Sequence, residues 1–84
     1  MLKEGSIVRS TAGRDKDRLL VVVAAEDRAV LVCDGKERPL ERPKRKNPRH
    51  VEDTGFALGQ NAESNRALRK ALSAVAQSVR PDER

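Results

Sequence analysis

The sequence predicts a small, mostly β domain with one C-terminal helix, its five short strands closing into a barrel. Three observations predict it. Two runs of strand length, 18–25 and 28–33, are rich in β-branched residues and apolar at consecutive positions. Pairs of turn-forming residues punctuate the chain between short apolar segments. Helical periodicity, with apolar residues at i, i+3, i+4 and i+7, belongs to the stretch after Ser64.

Residues 1–4 form a short polar lead-in. Residues 5–10 read as a first strand, with Ile7 and Val8 pointing to opposite sides because side chains alternate across a strand. A loop containing Gly13 follows, and it carries Arg14, Lys16 and Arg18 close together. The second strand, 18–25, is apolar on both faces. Leu19, Val21 and Val23 lie on one, and Leu20, Val22 and Ala24 on the other. A sheet with one wetted face would alternate instead, so each side of this strand needs a cover.

Glu26 and Asp27 make a two-residue turn into the third strand, 28–33, again apolar on both faces. Asp34-Gly35 signals a tight hairpin, since a type I′ turn places both central residues at positive φ. The returning strand, 36–40, is short and polar, and Pro39 confines it to an edge or ends it. A last segment, 49–52, closes the sheet. Five short strands with tight hairpins and long-range closure predict a small SH3-like five-stranded barrel.

Between the last two strands lies a basic arm, 42–48, with four cations in seven residues and a proline near each end. Prolines discourage helix there, and unpartnered like charges repel. Two readings are open: a solvated linker, or an arm that contacts phosphates. The second is favoured because residues 36–49 hold seven Lys or Arg against two Glu, in a domain that already has one basic loop.

Asp53-Thr54-Gly55 reads as a turn and 59–61 as a further break, with Phe56 and Leu58 pinning this connection to the barrel. Ser64 is a good N-cap for a helix to about Ser78. Leu68, Ala71, Leu72, Val75, Ala76 and Val79 line one face of it, and Pro81 stops it. That stripe is expected to cover the outer face of the strands, which would also stabilise a helix too short to be stable alone. Docking on a partner protein is the alternative use. The expected organisation is a barrel over 1–54, then a connector and amphipathic helix packed on it over 55–84.

Bulk composition narrows the function. The chain has 84 residues, a net charge of +5 and a single aromatic residue, Phe56. A strongly basic small domain favours an anionic partner. Cys33 is the only cysteine, so no internal disulfide is possible and a reducing, cytoplasmic setting is expected. Its apolar strand marks it as a buried thiol rather than a nucleophile. There is no secretory apolar region and no run long enough to span a bilayer, so no membrane role is expected. Zinc needs several Cys or His ligands, and the chain has one of each. No phosphate-binding or dinucleotide glycine motif occurs. The expectation is a non-enzyme without catalytic residues, metal or cofactor.

The stretch from Gly5 through Ser10, Gly13, Arg14, Asp15, Lys16 and Asp17 to Arg18 resembles a KOW motif, found in ribosomal proteins and transcription elongation factors. Within that superfamily, Ala12-Gly13-Arg14-Asp15-Lys16 is most similar to small bacterial RNA-binding proteins that resemble a eukaryotic-type large-subunit ribosomal protein. That family pairs a KOW barrel with a basic segment and a C-terminal helix. The resemblance is good over the barrel and arm and looser over the tail. It implies binding to ribosomal or other structured RNA. The chain departs from the pattern at Asp17, where KOW loops usually place glycine. Asp accepts positive φ better than most residues but less readily than Gly.

Arg14, Lys16 and Arg18 are therefore expected to form one phosphate-contacting patch, extended by Arg9 from the neighbouring strand. Arg42, Lys44, Arg45, Lys46 and Arg49 form a second. Lys and Arg at phosphates release condensed counterions and give salt-dependent binding. Without Trp or Tyr the chain has no aromatic platform for single strands, so structured RNA is the expected partner. The alternative is a protein-interaction module of the transcription or translation machinery. An exposed apolar groove between barrel and helix would favour that reading, a continuous positive face RNA. DNA binding is a weaker third reading.

Overall fold

Strand β2 (Leu19–Ala25) is the centre of the sheet, flanked by β1 (Ser6–Ser10) and β3 (Val30–Cys33). The computed structural model describes residues 2–58 and 64–78. It adds β4 (Lys44–Lys46), a 3-10 turn at Pro48–His50, β5 (Val51–Ala57) and one helix, α1 (Asn65–Ser78). All ladders are antiparallel and the sheet order is β4-β3-β2-β1-β5.

The fold is thus mostly β with a C-terminal helix, as the sequence predicts. The sheet, however, is open: β4 and β5 are its edges, and no ladder joins them among the described residues. A three-residue β4 of Lys-Arg-Lys has few backbone groups to offer a further strand. Short, charged edge strands are a common way of leaving a sheet edge unpaired.

The doubly apolar strands find their two covers. On one face Ile7, Val21 and Cys33 meet Leu68, Leu72 and Val75 of α1. On the other, Val8, Leu20, Val22, Val30 and Val32 form a second cluster, with Leu2 and Val51 against it. Burying the helix stripe is what holds α1, as its length alone would not. Ser64 Oγ accepts the Ala67 N–H at 3.0 Å, the expected N-cap. Ala76 stays exposed at the edge of the stripe. Val79, the stop at Pro81 and the break at 59–61 lie outside the described residues.

Three sequence expectations change. No strand forms over 36–40, and β3 pairs instead with Lys44–Lys46 of the basic arm. The reason is local. Asp34 Oδ1 accepts the N–H groups of Lys36 at 2.8 Å and Arg38 at 2.9 Å, curling the chain on itself, and Pro39 has no N–H to offer. The curl then docks on the helix. Asn65 Oδ1 accepts the Leu40 N–H at 2.7 Å, and Arg69 Nη1 donates to the Gly35 carbonyl at 2.7 Å.

The last strand is longer than 49–52. Asp53-Thr54-Gly55 is not a turn that ends it but an irregularity inside β5, which runs on to Ala57. Thr54 Oγ1 donates to the Ile7 carbonyl at 2.7 Å, and Gly55 takes φ +87°, which re-aims the strand. The division drawn at 54/55 falls within this strand. Finally, Phe56 is 42% exposed and belongs to neither core cluster among the described residues, whereas Leu58 packs on the helix-side core.

Candidate nucleic-acid interface

The loop between β1 and β2 is closed by its own backbone. Ser10 N–H donates to the Arg18 carbonyl at 2.9 Å, and Asp17 N–H donates to the Ser10 carbonyl at 2.7 Å. The buried Ser10 hydroxyl donates to the Ala12 carbonyl at 3.0 Å. Asp17 sits at φ 73°, the one non-glycine residue at positive φ among the described residues. Asp17 therefore takes the left-handed backbone that glycine adopts most readily. Its carboxylate also accepts from Arg9 Nη1 at 3.0 Å.

Asp15 turns inward from the same loop and is only 5% exposed. Lys44 Nζ of β4 donates to its Oδ2 at 2.6 Å, and Lys46 Nζ lies 3.9 Å from the same oxygen. Lys46 Nζ also donates to the Ala12 carbonyl at 3.2 Å, and the Thr11 N–H donates to the His50 carbonyl at 2.9 Å. Loop and arm are thus tied at several points into one surface. The hydrogen bond from Lys44 holds the Asp15 carboxyl below its ordinary value, against the opposing effect of burial. The charges of Lys44, Arg38 and Lys46 help.

The nine expected phosphate contacts separate into two groups. Five carry carboxylate partners. Arg9 pairs with Glu52 at 2.6 Å and Asp17 at 3.0 Å, Arg18 with Glu37 and more distantly Asp34, Arg45 with Glu26 at 3.0 Å, and Lys44 and Lys46 with Asp15. The hydrogen bond to Glu52 raises the Arg9 pKa, and that to Glu37 raises the Arg18 pKa. Lys46 is buried and binds the loop rather than solvent. The other four, Arg14, Lys16, Arg42 and Arg49, are exposed and have no ion pair among the described residues. Arg14 and Lys16 flank Asp15 itself. Arg49 precedes His50, whose carbonyl meets the loop, and Asn47 Oδ1 fixes its backbone by accepting the Arg49 N–H at 2.9 Å.

Sequence reasoning missed a third set of cations on α1. Arg66, Arg69 and Lys70 share a stretch of helix surface away from the core, and Arg69 lines one cleft with Arg18. Their i, i+3, i+4 spacing was the available signal. It did not reveal that this part of the helix borders the basic loop, which depends on the docking of α1 on residues 34–40.

Comparison with protein-family models and with curated proteins finds no match. Among the described residues, no helix is long and apolar enough to cross a membrane.

Proposed function

We propose that this chain binds structured RNA, gripping the sugar-phosphate backbone through the loop between β1 and β2 and the adjoining basic arm. The observation that carries the reading is the Asp15 tie, which holds two cationic segments distant in sequence against each other. Beside it, Arg14, Lys16, Arg42 and Arg49 have no carboxylate partner among the described residues. Unpaired guanidinium and ammonium groups on a fixed frame suit phosphate, because counterion release rewards each contact and the frame limits the ordering cost. Arg9, Arg18, Lys44, Arg45 and Lys46 take a framing role in this reading, since each already has an anionic neighbour.

The likeness of residues 5–18 to a KOW motif supports the same reading, and so does left-handed backbone at Asp17, where the motif usually has glycine. Ribosomal RNA is the first candidate, a binding rather than catalytic role is assigned, and the lone buried thiol suits the cytoplasm. Electrophoretic mobility shifts with an RNA hairpin at low and raised salt test it. Salt-sensitive retardation supports the reading, and salt-indifferent binding or none contradicts it.

One feature favours a protein partner instead. On the sheet face away from α1, and bordering the basic arm at Pro48, the residues Leu2, Val30 and Val51 line a cleft of about 730 Å³ together with Glu26, Asp27 and Asp53. An acidic rim repels RNA and would suit a basic protein segment.

A further inference from the structure

Where α1 approaches the start of β2, the surface opens into a cleft of about 500 Å³, within the size range of small-molecule sites. Leu19, Leu72 and Ala76 contribute apolar surface, and Arg9, Arg18, Lys36 and Arg69 line it as cations. Asp17 and Asp34 line it too, but both are engaged. Asp17 accepts from Arg9, and Asp34 accepts from two backbone N–H groups. Lys36 is exposed and has no ion pair among the described residues. An apolar slot in which Lys36 and Arg69 are the cations without a carboxylate partner among the described residues does not suit a bare phosphate, which gains nothing from the leucines. It suits a flat apolar body that carries negative charge.

We propose that this cleft receives one unpaired nucleotide of the bound RNA, its base on Leu19, Leu72 and Ala76 and its phosphate at Lys36 and Arg69. The inference rests on the RNA reading above and deepens it: the preferred RNA is a helix interrupted by a bulge or loop. Arg18 connects the two surfaces, since it ends the basic loop and lines the cleft. The chain's one aromatic residue, Phe56, is not at this site. Three guanidinium groups line it, and those of Arg9 and Arg18 are each held by two carboxylates. Unstacked bases stack on guanidinium planes much as they do on aromatic rings. A protein segment could reach the same apolar surface, but Lys36 and Arg69, the two lining cations with no carboxylate partner among the described residues, favour the nucleotide.

Amide chemical shifts of the intact chain titrated with AMP, adenosine and inorganic phosphate test this. AMP is expected to move Leu19, Leu72, Ser73 and Ala76, and adenosine to move the same residues more weakly. The proposal is overturned if phosphate reproduces the AMP pattern, or if AMP moves only Arg14 and Lys16, or nothing. As a second test, Ala76→Trp fills the cleft from an exposed position. Its affinity for an RNA hairpin with an unpaired loop should fall about tenfold, while a blunt RNA duplex binds as before. Unchanged hairpin affinity in a variant with normal thermal stability overturns the cleft proposal and leaves the RNA reading intact. Failure of the unaltered chain to bind either RNA overturns both.

Discussion

The Lys44 ammonium lies 2.6 Å from Oδ2 of Asp15, and this contact joins the basic arm to the loop between β1 and β2. Asp15 is almost wholly buried and the Lys44 side chain is only 29% exposed, so the pair is a fastening rather than a loose surface bridge. It neutralises two charges on this surface and gives the surface a fixed shape.

Asp15→Asn tests that trade. It keeps the shape of the side chain and raises the net charge by one, so charge alone predicts tighter RNA binding. Loss of the fastening predicts weaker binding and a stability loss of about 1–3 kcal/mol in urea unfolding. Tighter binding with unchanged stability would show that the arm needs no tie. The pH dependence follows from the lowered carboxyl pKa. The contact stabilises fully above the ordinary value of 3.8 and is lost as pH falls below it through the depressed one. The amides of Asp15, Lys44 and Arg45 should therefore shift in acid below that value.

Asp17 at φ 73° bears a backbone cost that glycine would not. Asp17→Gly should leave stability within about 1 kcal/mol of the original, the backbone gain offsetting the lost Arg9 contact. Asp17→Val should lose about 1–2 kcal/mol, because a β-branched residue resists the left-handed region. Equal melting temperatures for the glycine and valine variants would contradict this loop geometry.

Gly35 combines φ +80° with close packing under the helix, where an added Cβ would collide with the Asn65 carbonyl oxygen. Gly35→Ala should cost about 2–4 kcal/mol by chemical denaturation, from left-handed strain and overpacking together. Gly55 has similar φ but nothing within reach of a Cβ, so Gly55→Ala should cost only about 1 kcal/mol. Similar losses at both sites would argue against helix docking on residue 35.

Cys33 is fully buried, its thiol donating to the Pro39 carbonyl at 3.4 Å. Burial, and then the charges of Asp34 and Glu41, push its pKa from an ordinary 9.0 up to about 11. A raised thiol pKa means stability is complete below 9.0 and declines as pH rises towards 11. At pH 8 its reaction with a disulfide reagent should run at the rate of unfolding and rise with urea. Rapid labelling of the native chain would contradict this burial.

How much of this was legible follows from where each signal acts. The two-faced apolar strands and the Ser64 cap are local, and both appear as the sequence predicts. Turn chemistry at Asp34-Gly35 and Asp53-Thr54-Gly55 was also legible, but its consequence was not. Whether an Asx-type curl reverses a strand, ends it or bends it depends on what docks there, and here that is α1 and Ile7. The cations were countable, yet their partners are distant in sequence: Asp15 serves Lys44 and Lys46, and Glu52 serves Arg9. Charge reversal at Lys44, Arg45 and Lys46 together is the test that counting cations along the arm invites. Buried Lys46 makes that a folding experiment rather than a binding one.

On the RNA reading, the four cations that have no ion pair among the described residues should give a definite salt dependence. The logarithm of the RNA association constant, plotted against the logarithm of salt concentration, should fall with a slope of roughly −3 to −4 if each meets one phosphate. Reversal of Arg14 and Lys16 to Glu should bring the slope to roughly −2 or shallower, with melting temperature unchanged. A slope near zero for the unaltered chain, or a double variant with the same slope and affinity, would contradict the assignment of this surface to RNA.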